Sequence, residues 1–321
     1  MNRLTIFSLK LLRKLYSTFF GSDQTSIQEC EQDPNKASLI IYEALIAEGP
    51  CMIARFGGFE LATVVNYLGI KRLSRNTSGF IKGETPAWWW EDTLLLSMHT
   101  NAGFFPMQID KVEKFCQLMI TDIPLVDILG SWLPNEHYFK NELNNCKRVN
   151  FELLNPYFSS IPWTKALEGK KILVVHPFAK TIAEQYKKRD LIFLNNLLPE
   201  FELKTIKAVQ SIAGKKTNFN DWFEALEYMK TEIDKHDYDI CLIGCGAYGF
   251  PLAAHVKRRE KKAVHLGGSL QLLFGIRGKR WEDETYNSKY NYANLMNEYW
   301  VKPNKQERPN NAALVEDACY W

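Results

Sequence analysis

No two of the seven cysteines stand two residues apart, and their number is odd. Cys30, Cys51, Cys116, Cys146, Cys241, Cys245 and Cys319 are scattered along the chain. That argues against a zinc site and against a paired disulfide framework, and it favours reduced thiols in a cytosolic setting. Charge of one sign is also lacking. The 40 Lys and Arg against 37 Asp and Glu leave a formal +3, too little to make nucleic acid the main partner. There is no internal repeat and no low-complexity segment. What remains is an ordinary globular composition, 46% apolar and 24% charged, in 321 residues, enough for a large core in one or two domains. Aromatic residues reach 13%, which suits a binder of flat or sugar-like ligands and equally a large core.

The first residues, RLTIFSLKLLRKLYSTFFG, place Arg3, Lys10, Arg13 and Lys14 on one side of a helix. Leu4, Phe7, Leu11, Leu12, Leu15 and Phe19 fall on the other. Charges in mid-segment argue against a membrane-spanning helix. The break at Lys10 and the want of a small-residue cleavage site argue against a signal peptide. Two readings stay open: a basic amphipathic helix on an anionic membrane surface, residues 3–20, or a helix packed on its own domain. The first makes the protein cytoplasmic and peripheral to the inner face of a membrane.

Further along, Ser22–Lys36 reads as a linker, closing an N-terminal segment, 1–36. Residues 37–302 alternate strands and helices. Helices are expected at 38–48, 60–67, 110–121, 179–189, 222–235, 251–259 and 269–274. Another is expected in ETPAWWWEDTLLLSM, capped by Thr85 with Pro86 in its first turn. Strands are expected in CMIARFG, LVDILG, KKILVVHPF, FELKTIKAV, YDICLIG and KAVHLG. The pattern implies an α/β, Rossmann-like fold: a mostly parallel sheet with helices on both faces, plus the N-terminal amphipathic helix. Residues 303–321 read as a polar, loosely docked tail.

In such a sheet, ligands bind beyond the carboxyl ends of the strands. That rule nominates Arg55, Gly57 and Gly58; His176 and, one turn on, Lys180; Gly244, Gly246 and Tyr248; and His265 with Gly267. Backbone amides with Arg or His suit an anionic, phosphate-bearing ligand. Asn101, in NAGFFP, belongs to a loop whose composition fits a pocket wall or a plain helix stop. GIRGKRW adds Arg277 and Arg280 a short helix away. Glu60, just past Gly57 and Gly58, fits a base, a metal ligand or a favourable charge at a helix start. Gly244, Gly246 and Gly249 are spaced G-x-G-x-x-G after a strand, as in a dinucleotide-binding turn. The carboxylate that NAD sites carry about twenty positions later is absent, because His265, Leu266 and Gly267 stand there. That argues against NAD and leaves two roles for the turn, strand–helix packing or a phosphate cradle.

Taken in order, IARFGGFEL, NAGFFP, HPFAKT, LIGCGAYGFPLA and HLGGSLQLLFGIRGKRW resemble the bacterial GT-D-like proteins of polysaccharide biosynthesis, from about Cys51 to Trp281. GT-D glycosyltransferases carry R-F-G-D-G-E, whose Asp and Glu serve a metal and a sugar nucleotide. Arg55, Phe56, Gly57 and Glu60 match that motif; Gly58 replaces the Asp. The resemblance implies a sugar-nucleotide-dependent glycosyltransferase extending a glycan or a lipid-linked acceptor. It implies Glu60 as the catalytic carboxylate and a glycine turn that helps form the nucleotide-sugar pocket. With one carboxylate of the pair missing, dependence on a divalent metal (Mg or Mn) and activity itself are in question. The competing expectation is a non-catalytic Rossmann-like module that binds a nucleotide or glycan within a biosynthetic assembly.

Overall fold

The computed structural model describes residues 1–21, 29–193, 195–287, 289–314 and 318–321. Part of the expected linker, residues 22–28, lies outside them. Seven strands form one sheet: β1 (Cys51–Ala54), β2 (Ile128–Ser131), β3 (Lys147–Asn150), β4 (Lys171–His176), β5 (Glu202–Lys207), β6 (Ile240–Ile243) and β7 (Lys262–His265). Their spatial order is β3-β2-β1-β7-β6-β4-β5, and every neighbouring pair is parallel. The near-continuous apolar runs are the mark of strands covered on both faces.

The helices are α1 (Arg3–Phe20), α2 (Pro34–Ile46), α3 (Gly58–Lys71), α4 (Thr77–Lys82), α5 (Asp92–Thr100) and α6 (Ile109–Asp122). They continue with α7 (Ala179–Tyr186), α8 (Arg189–Ile192), α9 (Trp222–Asp234), α10 (Gly249–Arg258), α11 (Leu270–Leu273) and α12 (Lys279–Glu282). Alternation along the strands divides the core. Met52, Ala54, Leu173, Val175, Cys241 and Ile243 pack with α3, α6, α9 and α10 on one face. Cys51, Ile53, Ile172, Val174, Ile240 and Leu242 pack with α2, α7 and α11 on the other. The α/β reading with helices on both faces therefore holds.

The chain leaves β1 outward to β2 and β3, crosses to β4 and β5 at the far edge, and returns through β6 to β7 beside β1. Connections thus run in opposite directions from the middle of the sheet, the arrangement that opens a crevice at the carboxyl ends of central strands.

The helix expected from Thr85 starts only at Asp92. The buried Asn66 side chain of α3 is the reason. Its Nδ2 donates to the carbonyls of Ala87 (3.1 Å) and Trp89 (2.9 Å), and its Oδ1 accepts from the Glu91 N–H (3.2 Å). Tertiary hydrogen bonds take the backbone groups that a first helical turn would use. Trp88 and Trp89 then meet Phe80 edge-on, at 5.7 and 4.9 Å between ring centres.

The C-terminal tail also differs from expectation. Glu307 is buried, accepts from the Lys180 N–H at 2.9 Å and from the Thr181 hydroxyl, and so caps the start of α7. Ala312, Cys319 and Trp321 are buried as well, so the tail belongs to the packed body. Among the described residues no helix is long and apolar enough to cross a membrane.

Candidate functional site

The central crevice holds a cavity of about 260 Å³. One water needs about 10–15 Å³, so this space takes an organic molecule. A neighbouring void of about 30 Å³, sharing Arg55 and Arg280 with it, takes a water or two. The carboxyl end of β1 brings Arg55, Gly57, Gly58 and Glu60 to the large cavity. Beyond β4 comes His176, beyond β6 come Gly244, Gly246 and Tyr248, and beyond β7 come His265 and Gly267. Asn101, where α5 stops, and Arg280, on α12, complete the nominated residues that meet there. Lys180 and Arg277 stand outside. Lys180 is on the outer side of α7, 4.0 Å from Glu184, because Ala179, Ile182 and Gln185 form the inward face. Arg277 turns to Glu282, at 3.8 Å.

Arg55 is held between two aromatic rings. Its guanidinium carbon lies 5.2 Å from the Trp132 ring centre and 4.9 Å from that of Phe151. Trp132 is fixed by an Nε1–H bond to the Phe56 carbonyl (3.1 Å). Burial pulls the Arg55 pKa below its usual value; the Tyr320 hydroxyl and Glu60 carboxyl oppose the shift. The rings hold the cation in place without neutralising it.

Glu60 occupies the third position of α3 and folds back over Gly57, the helix N-cap. A Cβ on Gly57 would lie 2.0 Å from Glu60 Oε2, so a glycine at that position is what lets the carboxylate lie there. Burial raises the Glu60 pKa, with its own backbone N–H and Arg55 pulling the other way. A carboxylate whose proton affinity is raised, at the edge of a ligand-sized cavity, has the property a general base needs.

The histidines carry no charge at neutral pH. Burial lowers His176 and His265 alike to about 3. His176 Nδ1 accepts the Phe178 N–H at 3.0 Å. The positive charge facing an anion therefore comes from Arg55 and Arg280, with the histidines as neutral polar walls. Because the native state refuses these protons while the unfolded chain accepts them near pH 6.5, each histidine lends stability that is complete above that pH and is lost on acidification. His176→Asn keeps an acceptor for Phe178 and removes the titration. We expect wild type to lose stability relative to this variant by about 1.4 kcal/mol per pH unit between pH 6.5 and 4.5 in urea denaturation. A pH-independent difference would contradict a buried neutral His176. The comparison cancels Glu60 and Asp122, whose raised pKa values act in the opposite sense in both proteins.

The glycine turn has two jobs. A Cβ at Gly244 would come within 2.4 Å of the Gly267 carbonyl, so this glycine serves close packing between two strand ends. Gly246, with φ of +58°, turns the chain along the cavity. Tyr248 stacks on Trp222 (4.9 Å, 6°), and its hydroxyl meets Ser211 Oγ at 2.9 Å, which in turn donates to the Gly103 carbonyl. It clamps two loops of the wall.

Trp132, Gln271, Tyr320 and Trp321 also line the cavity and are not among the residues that the sequence nominates. Trp132 obeys the strand-end rule, one residue past β2. For Tyr320 and Trp321 the sole cue is an aromatic pair ending a polar tail. Arg280 is held by that tail: its N–H donates to the Cys319 carbonyl (3.1 Å) and its guanidinium lies 5.3 Å from the Tyr320 ring centre.

Four buried polar atoms without a hydrogen-bond partner belong to cavity-lining residues: Arg55 Nε, His265 Nδ1, Gln271 Oε1 and Trp321 Nε1.

Among the described residues no group of three or more His, Cys, Asp or Glu side chains is placed to hold a metal ion. At the nominated position the donor set is one carboxylate, Glu60, under the field of the buried Arg55 cation. That set does not fit a divalent metal, which takes several oxygen ligands. Space is not the obstacle, since a Cβ at Gly58 would meet Trp132 at an ordinary 3.5 Å.

No protein-family model, curated protein or solved structure matches this chain.

Proposed function

We propose that this chain is a glycosyltransferase that takes a nucleotide-activated sugar and passes the sugar to a glycan or lipid-linked acceptor in bacterial surface polysaccharide or glycoconjugate synthesis. The observation that carries the reading is the central cavity, a ligand-sized space lined by Arg55 and Arg280 and by the glycine turn from Gly244 to Gly246, a lining suited to an anionic, phosphate-bearing ligand. The ordered resemblance of its motifs to GT-D-like proteins supplies the reaction class. In the step we propose, an acceptor hydroxyl oxygen attacks the anomeric carbon and its proton passes to Glu60. The bond from that carbon to the diphosphate oxygen breaks, and the diphosphate leaves with the electron pair. Arg55 and Arg280 meet its growing charge, so the leaving group is stabilised by preorganised cations and amides.

Gly58 in place of the family's Asp favours one alternative, a module that binds the nucleotide or glycan without turnover. A transfer assay separates the two. Purified protein is incubated with sugar nucleotides and glycan or lipid-linked acceptors, and nucleoside diphosphate release is followed. Acceptor-dependent release supports transfer. Saturable binding with no release under any pairing supports the module.

A further inference from the structure

We propose that α1 docks this protein on an anionic lipid bilayer through the apolar face it turns outward. Docking through α1 is independent of the reaction proposed for the cavity. The helix is mounted with its richer apolar side away from the body. Ile6 and Leu9 face inward, packing with Phe80, Trp88 and Trp89. Lys10 pairs with Glu91, and Arg13 lies over the Phe80 ring at 4.9 Å, which pins the same side. Leu4, Phe7, Leu11 and Leu15, spaced three or four apart, then form an outer stripe that Leu12 and Phe19 widen. Leu4 is 74% exposed, Phe7 66% and Phe19 76%. A surface helix ordinarily hides its stronger apolar face in the core. Here the core takes the weaker one, and a contiguous exposed stripe of this kind marks an interaction site.

Charge decides what covers it. Residues 1–21 contain no Asp or Glu. Arg3 and Lys14 flank the stripe and form no ion pair with another described residue. A second copy laid on this face would set Arg3 and Lys14 near their equivalents with no acid on either helix to offset them. An anionic bilayer meets both demands: acyl chains receive Phe7, Leu11, Leu15 and Phe19, and headgroups pair with Arg3 and Lys14. The two readings left open for this segment in the sequence thus become two faces of one helix.

The test is sedimentation of the full chain with vesicles of phosphatidylcholine containing phosphatidylglycerol, and with pure phosphatidylcholine. Two variants are compared, Phe7→Ser/Leu15→Ser and Arg3→Gln/Lys14→Gln. All four side chains point away from the body, so both variants should keep the wild-type melting temperature. We expect wild type to pellet with the anionic vesicles and far less with neutral ones. The charge variant should lose about 30-fold in partitioning, about fivefold per charge. The apolar variant should lose at least about tenfold. Failure of wild type to pellet with anionic vesicles, or equal pelleting of all three proteins, would overturn the proposal. So would a dimer in analytical ultracentrifugation that Phe7→Ser/Leu15→Ser dissolves, because the face would then belong to a second copy.

Discussion

Replacing Glu60 by Gln is expected to cut sugar transfer by about 10²–10⁴-fold, the usual contribution of a positioned general base, while the melting temperature stays level or rises slightly. The direction on stability follows from the raised Glu60 pKa. The folded protein favours the neutral form, so the ionised carboxylate at neutral pH is a cost to folding. Gln removes the charge and keeps the shape over Gly57. A residue that merely complemented the α3 dipole would behave the opposite way. Its loss would lower stability by about 0.3–1 kcal/mol and leave turnover alone. Measuring transfer rate and melting temperature on the same two preparations separates the roles. A variant that transfers sugar at the wild-type rate removes Glu60 from the chemistry.

Arg55→Met should weaken binding of a sugar nucleotide by about 10–150-fold, the range for a hydrogen bond to a charged group, again without loss of stability. Trp132 and Phe151 hold the guanidinium, and burial has already lowered its pKa, so the empty site bears the cost of a desolvated cation. Met fills much of the volume between the rings and has no charge to desolvate. Arg55→Lys should not restore affinity, since an ammonium offers neither the planar fork nor the stacking surface. Calorimetric titration of the three proteins is the check. Equal affinity in all three would make Arg55 a packing residue between Trp132 and Phe151.

Much of this site is legible in the amino-acid sequence. Five of the six apolar runs of strand length end in Gly, Arg, His or Ser, and the rule that α/β ligands bind past strand ends gathers those residues without reference to a motif. What escapes has physical causes. β3, with the sequence Lys147–Asn150, buries only Val149 fully at the sheet edge, too little pattern to stand out. The stretch 86–90 has helical capping signals that Asn66, some twenty residues earlier, overrides by taking its backbone groups. Lys180 and Arg277 sit near the right strands but on the wrong faces, which spacing alone does not reveal. Tyr320 and Trp321 line the cavity from a polar tail anchored at Glu307, and the tail's sequence has no apolar periodicity to announce them.

On the proposed function, the crevice takes a sugar nucleotide and not a nicotinamide dinucleotide. Position His265–Gly267 offers no carboxylate for a ribose diol, and the charged groups lining the cavity are Arg55, Arg280 and Glu60. The direct measurement is isothermal titration of the wild-type chain with a panel of sugar nucleotides and with NAD. The account predicts saturable binding of at least one sugar nucleotide, lost in Arg55→Met, and none of NAD. Tighter binding of NAD than of every sugar nucleotide in the panel would contradict it.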